Sequence, residues 1–330
     1  MTTQSIRTLL TGIVDYAGLF PPAKLDMAPT VRKYAAHRGG DHGWMLGRLV
    51  VPASRLAECA EAIERASAEP APGEVWGGVW RISALVGGAA DRKKFHEDLD
   101  VAHAFNEEYA PRDDDPEAAE PEDDAPLPEG MPALLVDSIE TKAENPDDID
   151  AAIQIIPEGL QAFFEIPIDK DPRGLITALA GEPGIGAKVR TGGVTADAFP
   201  SSEHLAAFIS ACAAAATPFK ATAGLHHPLR AEHRLTYEPD PPRGVMFGFL
   251  NVFLAAALAQ SERVAPGMLV PMLEESSAET MKFSDLGWAW KSARLDNTRL
   301  ARARETLALS FGSCSFDEPV DDLRALGLLT

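Results

Sequence analysis

The sequence predicts an α/β protein folded as a (β/α)8 barrel, the TIM barrel, and three observations support this fold class. Short apolar segments alternate with helical segments of about 10 to 15 residues along almost the whole chain, which is typical of parallel strands joined by crossover helices. The 330 residues have room for the seven or eight such units that a closed barrel needs. No GxGxxG follows the first strand and no GxxxxGKS/T occurs, so open nucleotide-binding sheets lack their usual signature.

The predicted elements follow one another as strand–helix pairs. Most of the strand segments are apolar, and each is followed by a segment of helical length that is rich in alanine, in charged residues or in both. The predicted strands are residues 10–20, 45–53, 80–88, 133–140, 160–168, 186–193 and 218–224. The predicted helices are residues 27–38, 54–68, 91–108, 146–156, 173–181, 201–216 and 244–260.

Two segments compete for the eighth strand. One is MKFSDLGWAW, residues 281–290, and the other is TLALSFGSCS, residues 306–315. The second also fits the end of a helix over RLARARETLALSFG that stops at Gly312, with Asp317 capping the next helix. From the sequence we favour the helix.

Two long excursions interrupt what is otherwise expected to be a single domain over residues 1–330. Residues 111–130 are rich in Asp, Glu and Pro and nearly free of large apolar side chains, which predicts a disordered acidic insertion. Residues 228–243 follow the seventh strand and are expected to form a long loop over the barrel mouth. A non-enzymatic scaffold whose acidic segment binds a partner is an alternative that rests on composition alone.

Composition limits the partners and the compartment. A formal net charge of −20 argues against nucleic-acid binding, because most of such a surface repels a polyanion. No apolar run approaches the roughly 20 residues that cross a bilayer, so no membrane contact is expected. The first residues show no uninterrupted apolar run and no small-residue cleavage site, so we expect no secretory signal. The three cysteines form no CxxC pair, so we expect a reduced, cytoplasmic location without structural zinc. No cofactor and no metal are expected.

Charged side chains on neighbouring strands mark the candidate site, which in a TIM barrel lies at the carboxyl ends of the strands. Strand alternation puts Lys188 and Arg190 on one face of GAKVRTGG. It puts Lys220 and Thr222 on one face of PFKATAG. Three carboxylates are expected at the same end of the barrel: Asp15, Glu140 and Glu165.

Two buried lysines side by side predict an enzyme that forms an imine. Desolvation and like charge both disfavour an ammonium, so we expect Lys220 to lower the pKa of Lys188. A neutral amine attacks a carbonyl and forms a Schiff base, the electron sink for breaking or making a carbon–carbon bond. The two lysines could exchange roles, and Asp15 and Glu140 are expected to shuttle protons.

The substrate expected from this chemistry is a small anionic carbonyl compound, with or without phosphate. Arg190 is expected to donate hydrogen bonds to the anion. Gly192 and Gly193, which have no side chain, are expected to let the anion approach the backbone closely. The predicted substrate-binding residues are Arg190, Thr191, Gly192, Gly193, Thr222, His226 and His227.

Short motifs in a shared order resemble class I aldolases of the deoxyribose-phosphate aldolase type. VDYAGLFPP is similar to the first strand of that family, AKVRTGG to its sixth strand with the Schiff-base lysine, and FKATAG to its seventh. SFGSCSFDEP resembles its phosphate-binding loop. The resemblance implies a (β/α)8 barrel and a lyase with Lys188 as the Schiff-base residue and Lys220 as the partner that lowers its pKa. It also implies phosphate contacts from Gly312, Ser313 and Ser315.

Other interpretations of the same residues stay open at this point. His226 and His227 could join carboxylates in a metal-dependent hydrolase or lyase, although HExxH and a first-strand HxH are missing. The lysines and glutamates could instead form a structural ion-pair layer. Cys314 is expected to pack as a small hydrophobic residue. The apolar segment MFGFLNVFLAAALA is expected to be a buried barrel helix or the contact of a homo-oligomer, and its Asn251 needs a partner if buried.

Overall fold

The chain folds into a closed barrel of parallel strands, which confirms the predicted fold class. A computed structural model describes residues 1–111, 131–262 and 266–330. The barrel strands are β1 (Val14–Tyr16), β2 (Leu46–Pro52), β3 (Val79–Leu85), β4 (Ala133–Lys142), β5 (Gln161–Glu165), β6 (Ile185–Arg190), β7 (Phe219–Thr222) and β13 (Ala308–Ser313). Their order around the barrel is β1-β13-β7-β6-β5-β4-β3-β2, and each neighbouring pair is parallel.

Helices cover the outside of the barrel. They are α1 (Gln4–Leu10), α2 (Met27–Gly39), α3 (Leu56–Ser67), α4 (Arg92–Tyr109), α5 (Pro146–Ile153), α6 (Arg173–Leu179), α7 (Ser202–Ala215), α8 (Phe249–Glu262), α9 (Pro266–Leu273), α10 (Asn297–Thr306) and α11 (Asp317–Ala325). Helices α2 to α7 follow strands β1 to β6 in turn, and α11 follows β13. Capping residues determine where several of these helices begin. Asn145, for example, accepts a hydrogen bond from the backbone N–H of Asp148, and Pro146 fits the first helical position of α5.

Strand alternation separates the hydrophobic core from the barrel interior. On β6, Ala187 and Val189 are fully buried in the core that the strands share with the helices. Lys188 lies between them and therefore projects into the barrel. The same alternation on β5 places Phe164 in that core and turns Glu165 toward the interior, where it meets Lys188.

The eighth strand comes from TLALSFGSCS, because Ala308–Ser313 pairs with β7 on one side and with β1 on the other. The helix that we favoured is therefore wrong beyond Thr306, where α10 ends, and Gly312 is a strand residue rather than a helix cap. Closure of the barrel needs a strand between β1 and β7, and this pairing outweighs the helix propensity of alanine and leucine. Asp317 is the first residue of α11, and the Ser315 hydroxyl accepts a hydrogen bond from the N–H of Glu318.

Two smaller sheets flank the barrel. MKFSDLGWAW forms β10 (Met281–Ser284) and β11 (Gly287–Trp290), which join β12 (Ala293–Asp296) in an antiparallel sheet next to α1 and α10. The excursion after β7 contains the hairpin of β8 (Ala231–Arg234) and β9 (Arg243–Met246). Because β9 pairs with β8, helix α8 begins later than the predicted residue 244.

Helix α8 is buried against the barrel, and Asn251 has its partners there. Its side-chain oxygen accepts from the N–H of Arg230 at 2.9 Å, and its nitrogen donates to the carbonyls of Met272 and Glu275, each at 2.8 Å. Asn251 therefore joins three segments and does not face the site. Within the described part of the chain, each helix is too short or too polar to cross a membrane. The predicted acidic insertion, apart from its first residue, lies outside the described residues.

Candidate active site

A cavity of about 680 Å³ opens at the carboxyl ends of the barrel strands. Its walls come from the loops after β1, β6, β7 and β13 and from the segment of the β8–β9 hairpin, and its inner end is formed by strand residues. Most of the predicted site residues line it, namely Glu140, Lys188, Arg190, Gly192, Gly193, Thr222, His226 and His227.

A chain of ion pairs crosses the barrel interior beneath this cavity. Lys220 Nζ lies 2.7 Å from Asp15 Oδ2 and 2.7 Å from Glu140 Oε1. Lys188 Nζ lies 2.8 Å from Glu140 Oε2 and 3.0 Å from Glu165 Oε2. Glu140 thus bridges the two amines with one carboxylate oxygen on each. The structure brings together all five residues that the sequence selected for catalysis.

Further hydrogen bonds hold the two deepest carboxylates. Ser83 Oγ donates to Glu140 Oε1 at 2.8 Å, and Ser310 Oγ donates to Asp15 Oδ2 at 2.6 Å. The backbone N–H of Arg48 donates to Asp15 Oδ1 at 2.7 Å. These bonds satisfy buried oxygen atoms that are costly to leave without a donor. Sequence reasoning missed both serines, because a single serine within an apolar strand carries no pattern.

The two lysines differ in their access to the cavity. Lys220 is 1% exposed and lies below the cavity, with its Nζ 5.3 Å from the centre of the Phe163 ring. Lys188 is 5% exposed and contributes to the cavity lining. A molecule bound in the cavity would therefore meet Lys188 first, and Lys220 would act on it only through Glu140.

The neighbouring carboxylates raise the pKa of Lys188. Burial lowers the pKa of this amine, but Glu140 and Glu165 raise it by more, so it stands above its usual value. The expected lowering by Lys220 is therefore wrong, because Glu140 lies between the amines and offsets their repulsion. Burial raises the pKa of Glu140 in turn, but Lys188 and Lys220 leave it well below its usual value. Lys188 and Glu140 are both charged at neutral pH.

Arg190 lies at the cavity mouth, two residues after Lys188 and on the same side of β6. Its Nε is 3.1 Å from Glu165 Oε1, and its side chain is 49% exposed. Gly192 lies two residues further along the chain, and a Cβ on this residue would clash with the ring of Phe199. The structure does not bring Thr191 to the cavity, because this residue faces the other side of the strand and its buried hydroxyl donates to the carbonyl of Ala223.

The two histidines after β7 each pair with a carboxylate of α11. His226 Nδ1 lies 2.8 Å from Glu318 Oε2, and His227 Nδ1 lies 2.6 Å from Asp322 Oδ2. His233 of the hairpin stacks on His227 with 3.4 Å between ring centres. Burial, with a smaller effect from His227, lowers the pKa of His233 to about 4. Sequence reasoning missed both carboxylates, although their four-residue spacing on a helix was a usable signal.

The loop from β13 to α11 forms part of the same wall. Gly312 and Cys314 line the cavity, and the Cys314 sulfur lies 3.8 Å from the Tyr237 hydroxyl. Burial raises the pKa of the Cys314 thiol to about 11, so it stays protonated at neutral pH. Ser313 Oγ accepts from the N–H of Ser315, so this hydroxyl, like that of Ser315, serves the start of α11.

Residues 1–111, 131–262 and 266–330 contain no set of ligands that would support the metal-dependent alternative. No three His, Cys, Asp or Glu side chains in these ranges are arranged to hold a metal ion. The deepest carboxylates of the cavity region, Asp15 and Glu140, contact lysine ammonium groups instead.

Comparison with known proteins adds no family to this description. No protein-family model matches the chain, and no curated protein matches it. The resemblance to deoxyribose-phosphate aldolases therefore depends on the short motifs alone, and the function has to be argued from the site.

Proposed function

We propose that the protein is a carbon–carbon lyase that forms an imine between Lys188 and a small anionic carbonyl compound. The position of Lys188 is the observation that supports this proposal most. A buried amine lies at the inner end of a cavity of about 680 Å³, with its Nζ in contact with two carboxylates that can accept its proton.

Imine formation begins with proton transfer from Lys188 to Glu140, whose Oε2 lies 2.8 Å from Nζ. A neutral amine and a neutral acid need less solvation than an ion pair, so a carbonyl compound that excludes water from the cavity favours this transfer. The amine then attacks the carbonyl carbon, and Glu140 returns the proton as the hydroxyl leaves as water. The product is a protonated imine, which accepts the electron pair of the adjacent carbon–carbon bond.

The surrounding charges suit an anionic substrate. Lys220 stays below the cavity and keeps Glu140 and Asp15 fixed through two contacts of 2.7 Å. Arg190 at the mouth offers a guanidinium that can bind a carboxylate or a phosphate through two parallel hydrogen bonds. Because the protein as a whole carries a net charge of −20, such a local cation is needed to hold an anion. The cytoplasmic location and assembly into a homo-oligomer stay predictions from the sequence.

Reductive trapping tests the proposal. The protein is incubated with sodium borohydride and, in separate reactions, pyruvate, acetaldehyde or glyceraldehyde 3-phosphate, and its intact mass is measured. We expect a covalent adduct that peptide mapping assigns to Lys188. Lys170→Arg, a change at an exposed lysine, serves as the matched control and should leave the adduct unchanged. Failure of all three carbonyl compounds to modify Lys188 would reject the proposal.

A further inference from the structure

Two carboxylate–histidine pairs stand between α11 and the loop after β7, and imine formation uses neither of them. Glu318 and Asp322 are four residues apart, so they lie one turn apart on the same side of the helix. They meet consecutive histidines, with 2.8 Å between Glu318 and His226 and 2.6 Å between Asp322 and His227. Each carboxylate therefore fixes the orientation of one histidine ring.

The pairing decides which nitrogen of each ring is free to accept a proton. An ionised carboxylate can only accept hydrogen bonds, so Nδ1 carries the hydrogen and the neutral ring keeps its lone pair on Nε2. Burial raises the pKa of Glu318, but His226, Tyr237 and His227 together lower it to below its usual value, so this carboxylate is ionised at neutral pH. A carboxylate behind an imidazole also makes the ring a better base.

The two pairs are not equivalent. Glu318 is itself a cavity residue, and Tyr237, which lines the same cavity, helps to lower the pKa of its carboxyl. His226 is 7% exposed and lines the cavity that contains Lys188. His227 also lines the cavity, but its ring is covered on one face by His233, 3.4 Å away between ring centres. His226 is therefore the better placed of the two to act on a molecule held at Lys188.

We propose that His226 transfers the proton in the step that breaks the carbon–carbon bond. Glu318 positions the His226 ring for this transfer. The substrate class follows, because a proton can be taken in this step only from a hydroxyl on the carbon β to the imine carbon. The substrate is a small anionic aldol, a carbonyl compound with a β-hydroxyl and a carboxylate or phosphate. This inference rests on the proposed function, since it requires the imine at Lys188.

The step balances without a further reactant. His226 Nε2 takes the proton of the β-hydroxyl, the oxygen electrons form a new carbonyl, and the bond between the α- and β-carbons breaks. Its electron pair moves to the protonated imine, which becomes an enamine on Lys188. The β-carbon leaves as an aldehyde or ketone. His226 then returns the proton to the α-carbon, and water releases the second carbonyl product from Lys188.

The experiment separates imine formation from bond cleavage in the full-length protein. The probes are 4-hydroxy-2-oxoglutarate and 2-deoxyribose 5-phosphate, which carry a β-hydroxyl, and 2-oxoglutarate, which lacks it. Adducts are measured by borohydride trapping and intact mass, and cleavage products by chromatography. The variants are His226→Ala, His226→Gln and Glu318→Gln. Asp321→Asn is the control, an exposed carboxylate on the same helix that pairs with Arg324.

We expect the His226 variants to form adducts within twofold of the wild type but to cleave about 100-fold more slowly, the usual contribution of a general base. Added imidazole should raise the cleavage rate of His226→Ala at least tenfold. A merely structural role for the ring predicts no such rescue. Glu318→Gln should slow cleavage about 10-fold without loss of the adduct. Asp321→Asn should match the wild type.

The possible failures of the two proposals are distinguishable. Wild-type cleavage rates in both His226 variants, with adducts intact, overturn the role of His226 and leave the imine in place. Loss of the adduct in the His226 variants also overturns the role of His226, because the ring would then be needed for imine formation, before the carbon–carbon bond is broken. A wild type that forms adducts with 2-oxoglutarate but cleaves neither hydroxylated probe overturns the substrate class. Absence of any adduct in the wild type overturns the proposed function itself.

Discussion

The barrel interior contains two charged layers that are built in similar ways but have different surroundings. In the lower layer, nearer the amino ends of the strands, Arg48 Nε lies 2.6 Å and Arg81 Nη1 2.8 Å from the two oxygens of Asp137. The upper layer consists of Asp15, Lys220, Glu140, Lys188 and Glu165. In both layers a carboxylate bridges two cations, so an ion pair within a barrel does not by itself mark a functional site.

The kind of cation and the access to the cavity separate the layers. An arginine keeps its proton at any physiological pH. For Arg48, burial lowers the pKa, but Asp137, with smaller contributions from Asp15 and Tyr34, brings it above its usual value. A lysine can pass its proton to an adjoining carboxylate, and Lys188 lines the cavity, whereas Arg48 and Asp137 do not. The lower layer therefore fits a structural role and the upper layer fits a reactive one.

The largest effect should come from Lys188→Arg. Guanidinium keeps the charge and the carboxylate contacts but is never neutral, so trapping and turnover should fall at least about 1,000-fold. Intact mass after borohydride measures the adduct, and thermal unfolding checks that the fold is kept. The matched exchange in the lower layer, Arg48→Lys, should leave the adduct at the wild-type level. An adduct of normal yield in Lys188→Arg would show that another residue is the nucleophile.

Glu140→Gln should lower stability more than any other single change in the two layers. It leaves two buried ammonium groups without their shared counter-charge, a loss of about 3 to 5 kcal/mol in the free energy of unfolding. Asp137→Asn removes the bridge of the lower layer, where the Arg81 side chain is 45% exposed, so its cost should be smaller. Urea unfolding compares the two variants. A Glu140→Gln protein as stable as the wild type would contradict the assigned charges.

Glu165→Gln should sharpen the comparison by lowering the pKa of Lys188 while the Glu140 bridge between the two lysines stays in place. Glu165 is one of the two carboxylates that raise this pKa, so its neutral replacement lowers it. More neutral amine is then present at a given pH, so the profile of trapping rate against pH should move to lower pH. Trapping rates from pH 6 to pH 9 measure the shift. A profile that stays in place would mean that Glu165 does not act on Lys188.

The smallest effect should arise outside both layers, at His233. Its pKa is about 4 in the folded protein against 6.5 for the ordinary side chain. As pH falls through this window the unfolded chain takes up a proton that the folded chain does not, so stability declines, by about 1 to 2 kcal/mol for a half-buried group. Urea unfolding at several pH values measures the decline. His233→Gln should make the decline shallower above pH 4.5, and the remainder should come from His37 and His42, whose pKa values burial also lowers.

Periodicity in the sequence was enough to predict the barrel and the residues that face its interior. The alternation on GAKVRTGG gave the inward direction of Lys188, and the βα repeat placed Asp15 and Glu140 at the same end of the barrel. The eighth strand was missed because helix propensity over RLARARETLALSFG competes with a pairing that depends on β1, which is distant in sequence. Local patterns cannot show such a pairing.

Features that depend on distances between side chains could not be predicted. The sign of the pKa change at Lys188 follows from Glu140 standing between the amines, and sequence shows only that all three side chains point inward. The pairing of His226 with Glu318 joins residues 92 positions apart. Ser83 and Ser310 act through single hydrogen bonds that no spacing rule selects.

The position of β13 between β1 and β7 also has a consequence for biosynthesis. Until residues 308–313 leave the ribosome, the earlier strands can form only an open sheet with two unpaired edges, and such edges attract other chains. Asp15 and Lys220 come from the strands on either side of that gap, and Glu318 follows it. The nascent chain therefore exposes two strand edges during synthesis, and the contact between Asp15 and Lys220 can form only when the ring closes.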